Sequence, residues 1–141
     1  MPGVVPDVGE VRMLATMLGV APPEALQLRL FVNDRIPGLA DDVVDYIEMR
    51  DHGYARKTLT PDVWTIEPAT AGLNTPGKAE APDQVFPFTA GRLTLAYGYL
   101  LVGAASGVLW TAERFANGPY RVETEGEIGV TPVLRLRSGY P

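Results

Sequence analysis

The sequence predicts a mainly β protein: an antiparallel β-sandwich or jelly-roll-like barrel, preceded by a short N-terminal helix and an extended N-terminal arm. Three observations carry this. The apolar residues change period once, from helical spacing before residue 20 to alternation from Leu26 onward. The second half then holds the strand-like runs "QVFPF", "RLTLAYGYLLV", "GVLWTAERF", "YRVETE" and "EIGVTPVLRLR", separated by Gly, Asn and Pro at the short spacing of all-β folds. Finally, a domain of 141 residues buries roughly two-thirds of its unfolded surface. It needs neither the disulfides that its lack of cysteine rules out nor a structural metal.

Residues 1–6, "MPGVVP", read as a proline-stiffened apolar arm. A secretory leader needs a basic start, but here no Lys or Arg precedes Arg12, and Asp7 and Glu10 stand in its place. A short helix is expected over residues 7–19. Asp7 would cap it, with Glu10 reaching back in a capping box. Val11, Leu14, Ala15 and Leu18 form one apolar stripe, facing a core or a partner. Gly19 supplies a left-handed stop, and Pro22 and Pro23 forbid continuation.

The β body is expected to run from residue 26 to 141. Leu26, Leu28, Leu30 and Val32 alternate with Gln27, Arg29, Phe31 and Asn33 as in a half-buried strand. "NDRIPG" ends that strand in turn chemistry. "LADDVVDYIEMRDHG" reads as a connection holding a helical turn, and "YARKTLTPDVWTI" as two short extended segments interrupted at Pro61. Glu67 to Gln84, with Pro68, Pro76 and Pro82 and almost no large apolar side chain, reads as a long loop. Leu93 to Val102 is apolar on both faces, which suits a central strand. In the last run Ile128, Val130, Pro132, Leu134 and Leu136 alternate with polar residues, and Pro132 favours a sheet edge.

The chain offers catalysis little foothold. His52, the single histidine, lies beside Asp51, and Ser106 and Ser138 are the only serines, yet no strained nucleophile turn surrounds either. Asp41, Asp42, Asp45, Glu48 and Asp51 are acidic enough for calcium but lack the alternating spacing of a calcium loop. No pair among the acids is singled out for glycoside hydrolysis. "YGYLLVGAASG" is glycine-rich but leads into a strand instead of the helix that a phosphate loop requires. A net charge of −5 with scattered basic residues argues against nucleic acid. Tyr97, Tyr99, Trp64 and Trp110 lack interleaved basic residues and read as core. No apolar run approaches the roughly 20 residues of a membrane span. These observations predict a soluble, non-enzymatic chain without cofactor or metal.

Three stretches, "MPGVVPDVGE" with "LRLFVND", "GYARKTLTPDVWTI", and "LAYGYLLVGAASGVLWTAERF" followed by "VTPVLRLR", resemble small structural proteins of tailed bacteriophages. The resemblance spans most of the chain and is greatest to capsid decoration, or cement, proteins. Two stretches depart from it: Ala40 to His52 is more acidic than the threonine-rich family pattern, and the loop from Glu67 is longer. The resemblance implies a homotrimer bound to the major capsid protein on the surface of the virion, made in the host cytoplasm. It further implies capsid or subunit contacts through Val4, Val5 and Pro6 of the arm and through Leu73 and Pro76 of the long loop. A head-tail or tail adaptor, a fibre base, and a virion carbohydrate-binding module or small hydrolase are the competing roles. Exposure of Trp64 or Trp110 in a cleft beside paired carboxylates would mark the last of these.

Overall fold

A computed structural model describes residues 3–67 and 77–135 of the chain. Leu26 to Phe31 forms strand β1, buried at Leu26, Leu28 and Leu30 as the alternation requires, but Phe31 on the opposite face is fully buried as well, in a second core. It is flanked by β2 (Lys57–Leu59) and β7 (Gly98–Gly103), and β8 (Leu109–Arg114) completes the antiparallel sheet in the order β2-β1-β7-β8. All of β7 is buried inside the sheet, but the central strand expected over Leu93 to Val102 is two strands: Thr94–Ala96 belongs to a separate two-stranded sheet, and Leu93 is exposed. β1 and β7 pair without a break from Leu26↔Gly103 to Phe31↔Gly98.

Period-2 alternation along β7 feeds two cores. Tyr99 and Leu101 join Leu28, Leu30, Phe86, Val122 and Ile128 on one face, while Leu100 and Val102 join Phe31, Tyr46, Leu109 and Ala112 on the other. The first face is covered by small antiparallel sheets. β5 (Gln84–Phe88) pairs with β10 (Gly126–Val130), and β6 (Thr94–Ala96) pairs with β9 (Tyr120–Val122). β3 (Thr65–Glu67), β4 (Lys78–Glu80) and β11 (Val133–Arg135) form a further sheet in the order β11-β4-β3. The fold is therefore mainly β, antiparallel and sandwich-like, with one short N-terminal helix, α1 (Asp7–Met17).

Four local expectations change. Asp7 is the first residue of α1, and Pro6 is its cap with no side-chain hydrogen bond. The capping box forms instead around the 3₁₀ turn Val43–Asp45, where Asp42 and Asp45 bond each other's backbone. The expected stripe is on the outside: Val11 is 67%, Leu14 56% and Leu18 76% exposed, whereas Gly9 and Met13 are buried. Of the stretch expected as a long loop, Lys78–Glu80 is the middle strand of a sheet, and residues 68–76 lie outside the described residues. The final run is two strands, β10 and β11. It breaks at Thr131 and Pro132, where the carbonyl of buried Pro132 accepts from the Ala81 N–H.

Gly9 explains which face of α1 turns inward. A Cβ there would lie 2.7 Å from the carbonyl oxygens of both Leu109 and Trp110. Only a glycine lets the helix approach β8 so closely. At the other end, the Gly19 and Val20 N–H groups donate to Thr16 and Ala15, the two bonds of a Schellman motif, with Gly19 at φ +74°.

Candidate functional site

The N-terminal arm lies along its own domain. Val4 forms an antiparallel bridge with Ala112 in β8, with hydrogen bonds of 2.8 and 3.0 Å, and its carbonyl also accepts from the Thr111 hydroxyl at 2.9 Å. Val5 is half-buried and Pro6 fully buried. These residues cover the outer edge of β8, which would otherwise present unpaired backbone groups. The other edge, β2, is only three residues long and carries Lys57. Leu73 and Pro76 lie outside the described residues.

Acidic side chains that suggest chemistry in the sequence are fasteners in the fold. Asp41, with a side chain 5% exposed, accepts two hydrogen bonds from the Arg35 guanidinium (2.5 and 3.2 Å), one from the Tyr46 hydroxyl (2.6 Å) and one from the Gly38 N–H (3.0 Å). The Arg35 bond, with those from Tyr46 and Gly38, holds its carboxyl down at about 2 against the pull of burial. Glu48 accepts from Arg56 and from the Tyr54 hydroxyl, which itself accepts from the Leu30 N–H. Burial pushes the Glu48 carboxyl up, but these bonds prevail and it lies below the ordinary value. Glu24 is similarly lowered. Burial opposes the shift, while Ser106, Arg12 and the Ala105 N–H, which it joins across α1 and the β7–β8 turn, outweigh it.

His52 is a loop residue, as expected, but a buried one at φ +62°. Its Nδ1 stands 2.8 Å from the Thr89 carbonyl and its Nε2 2.7 Å from that of Arg92, so the ring ties its loop to the β5–β6 connection. Ser106 is bonded to Glu24 and Asp51 lies exposed, so His52 has neither as a catalytic partner. Ser138 lies outside the described residues. Among the described residues no three His, Asp or Glu side chains are grouped so as to hold a metal ion. No described helix is long and apolar enough to cross a membrane.

α1 also leaves an apolar strip open to a partner. The outer face of α1 presents Val8, Val11, Leu14 and Leu18, continued by Val20 beyond its end. Leu39, 61% exposed, flanks its first turn, where the Leu39 carbonyl accepts from the Asp7 N–H. Beneath the helix runs a groove of about 350 Å³ lined by Met13, Met17, Trp110, Ile66, Ala79 and Leu134. Both tryptophans pack against the larger core cluster, each only partly buried. The carboxylate lining the groove beside Trp110, Glu67, is paired with Lys78 at 3.4 Å.

Sequence reasoning found the apolar residues of α1 but not which would stay outside. The signal it lacked was Gly9, whose burial hydropathy does not register. It also missed the groove, because Trp110, Ile66 and Leu134 come from strands far apart in sequence. Comparison of the chain with protein-family models, curated proteins and solved structures finds no match.

Proposed function

We propose that this protein is a structural subunit of a tailed-phage virion, a decoration or cement protein that binds the assembled shell of major capsid protein and stabilises it. The observation that carries the reading is the distribution of its side chains. Asp41, Glu48 and the single histidine are engaged inside the fold, while aliphatic residues on α1 remain on the surface. Contiguous exposed apolar surface marks contact with another macromolecule. A cement subunit needs such anchors on a rigid β body and has no need of tuned acids or bases. Many identical sites on a symmetric shell multiply a modest contact into stable attachment.

On this reading α1 and Leu39 supply contact surface that the resemblance assigned to the arm. Residues 3–6 act from beneath, holding α1 against β8. For the carbohydrate-binding alternative, Trp110 does line the open groove, but the carboxylate beside it, Glu67, is paired with Lys78 instead of with a second acid, and both tryptophans are partly buried.

The test is cryo-electron microscopy of purified protein mixed with shells of the parent phage. Density repeated at equivalent sites across the lattice is expected. A ring at a single vertex would replace the proposal with an adaptor, and shells left bare would overturn it.

A further inference from the structure

We propose that the outer edge of β3, with the groove beside it, takes an extended segment of a partner protein, which adds to the sheet β11-β4-β3 as a fourth strand. The segment sets one large aliphatic side chain into the groove, between basic neighbours. The groove meets α1 at Met13 and Met17, on a different side of the helix from Val11, Leu14 and Leu18, so it stays open whatever covers those residues. The proposal holds whether or not the chain binds a shell.

The sheet edge is the first observation. Among the described residues no strand lies beyond β3, and Thr65, Ile66 and Glu67 are all exposed, Ile66 to 71%. An open edge presents unpaired N–H and C=O groups that a further strand can satisfy. Other edges are covered or blunted: the arm lies along β8, Pro87 interrupts β5, and in β11, across the same sheet, the Val133 N–H donates to the Tyr99 hydroxyl at 3.3 Å. β3 carries neither proline nor lysine, and its central side chain is aliphatic. At three residues it is short, so backbone pairing alone holds a partner weakly.

The groove supplies the rest. Register sets Ile66 opposite Ala79 and Ala79 opposite Leu134, one row across the sheet in which the small middle residue leaves a hollow. Trp110 and the adaptable side chains of Met13 and Met17 complete a groove of about 350 Å³. Directly paired residues of adjacent strands project to the same face, so the residue of an added strand opposite Ile66 points to the groove. Nothing there calls for a polar group. The Thr16 hydroxyl donates to the Arg12 carbonyl at 2.9 Å, and the Trp110 Nε1–H is buried. The incoming side chain is therefore apolar. Its neighbours fall opposite Thr65 and Glu67, where Lys78 stands 3.4 Å from Glu67 and 3.3 Å from Glu80, one ammonium between two carboxylates. That surplus of negative charge suits basic residues on either side of the aliphatic one.

The test is a titration of the isotope-labelled chain with a blocked synthetic peptide, one leucine between two lysines in a threonine background, followed by nuclear magnetic resonance. The amide signals of Thr65, Ile66 and Glu67 and the indole signal of Trp110 are expected to shift together. Serine for the leucine should weaken binding roughly tenfold, and glutamate for both lysines should weaken it most at low salt. An added strand bonds its neighbour through alternate residues only, so of two peptides N-methylated at alternate positions one should fail and the other bind. Ala79→Leu, which fills the hollow, should abolish the Trp110 shift with an unchanged circular dichroism spectrum. Equal binding by the two methylated peptides, shifts confined to another edge, or no shift at roughly 10 mM peptide, enough to fill a millimolar site, would each overturn the proposal. So would a dimer that Ile66→Lys dissolves, which would assign the edge to a second copy.

Discussion

Asp41 shows how a single side chain can tie stability to pH. Its carboxyl is held at about 2 against an ordinary 3.8, so the folded state binds that proton more weakly than the unfolded chain. The stabilisation is complete above the ordinary value and disappears as pH falls through the folded one. After solvent screening it amounts to roughly 1–2 kcal/mol. Glu24 and Glu48, also lowered, add to the same acid limb. Urea midpoints measured from pH 5 to pH 2 should therefore fall steeply, and Asp41→Asn should flatten that fall while lowering the midpoint at neutral pH. A variant with the same slope as the parent would show that Arg35 and Tyr46 do not hold this carboxyl. At Gly9 the constraint is steric. Gly9→Ala pushes a methyl against two carbonyl oxygens of β8 and should cost about 1–3 kcal/mol in thermal unfolding, although alanine is the better helix former.

At the scale of the element, β7 and the N-terminal arm respond differently to change. Leu101 in β7 is fully buried in the larger core, and Leu101→Ala should cost roughly 2–5 kcal/mol, read as a lowered urea midpoint. The arm is held by three hydrogen bonds between Val4 and the pair Thr111 and Ala112, each worth on the order of 1 kcal/mol. Deleting residues 1–6 also exposes the edge of β8. It should cost about 2–4 kcal/mol of stability, read as a lowered urea midpoint, and promote aggregation, followed by light scattering. An arm that served only to dock on a neighbour would leave the midpoint of the isolated protein unchanged. α1 stands between these cases. Its inner face is fixed by Gly9 and Met13, and its outer face adds nothing to the fold that contains it.

The whole molecule separates what holds it together from what it offers to others. Its two cores lie on opposite faces of one four-stranded sheet, and the exposed face of α1 lies outside both. A Val11→Lys, Leu18→Glu pair should thus leave thermal stability within about 0.5 kcal/mol of the parent. On the proposed cement role, the same pair should abolish attachment to shells, measured by co-sedimentation. Loss of stability in this variant would mean that the face is structural.

Much of the architecture was legible because it depends on patterns local in sequence. The change of period at Leu26, the doubly apolar run of β7 and the turn residues between the last strands determined a mainly β chain with one short N-terminal helix. Gly19 determined where that helix stops, since a left-handed residue is costly for anything but glycine. Only the tertiary structure decided which side of α1 faces inward. Leu14 and Leu18 outweigh Gly9 in hydropathy, but close approach to the β8 carbonyls selects the residue without a side chain. It alone decided that Lys78–Glu80 becomes a strand, because β3 and β11 arrive on either side to satisfy its backbone. The acids of residues 41–51 likewise had partners that the sequence could not reveal. Arg56, Tyr54 and Arg35 reach Glu48 and Asp41 only once the chain has folded, and that turned a candidate cation site into a set of internal fasteners.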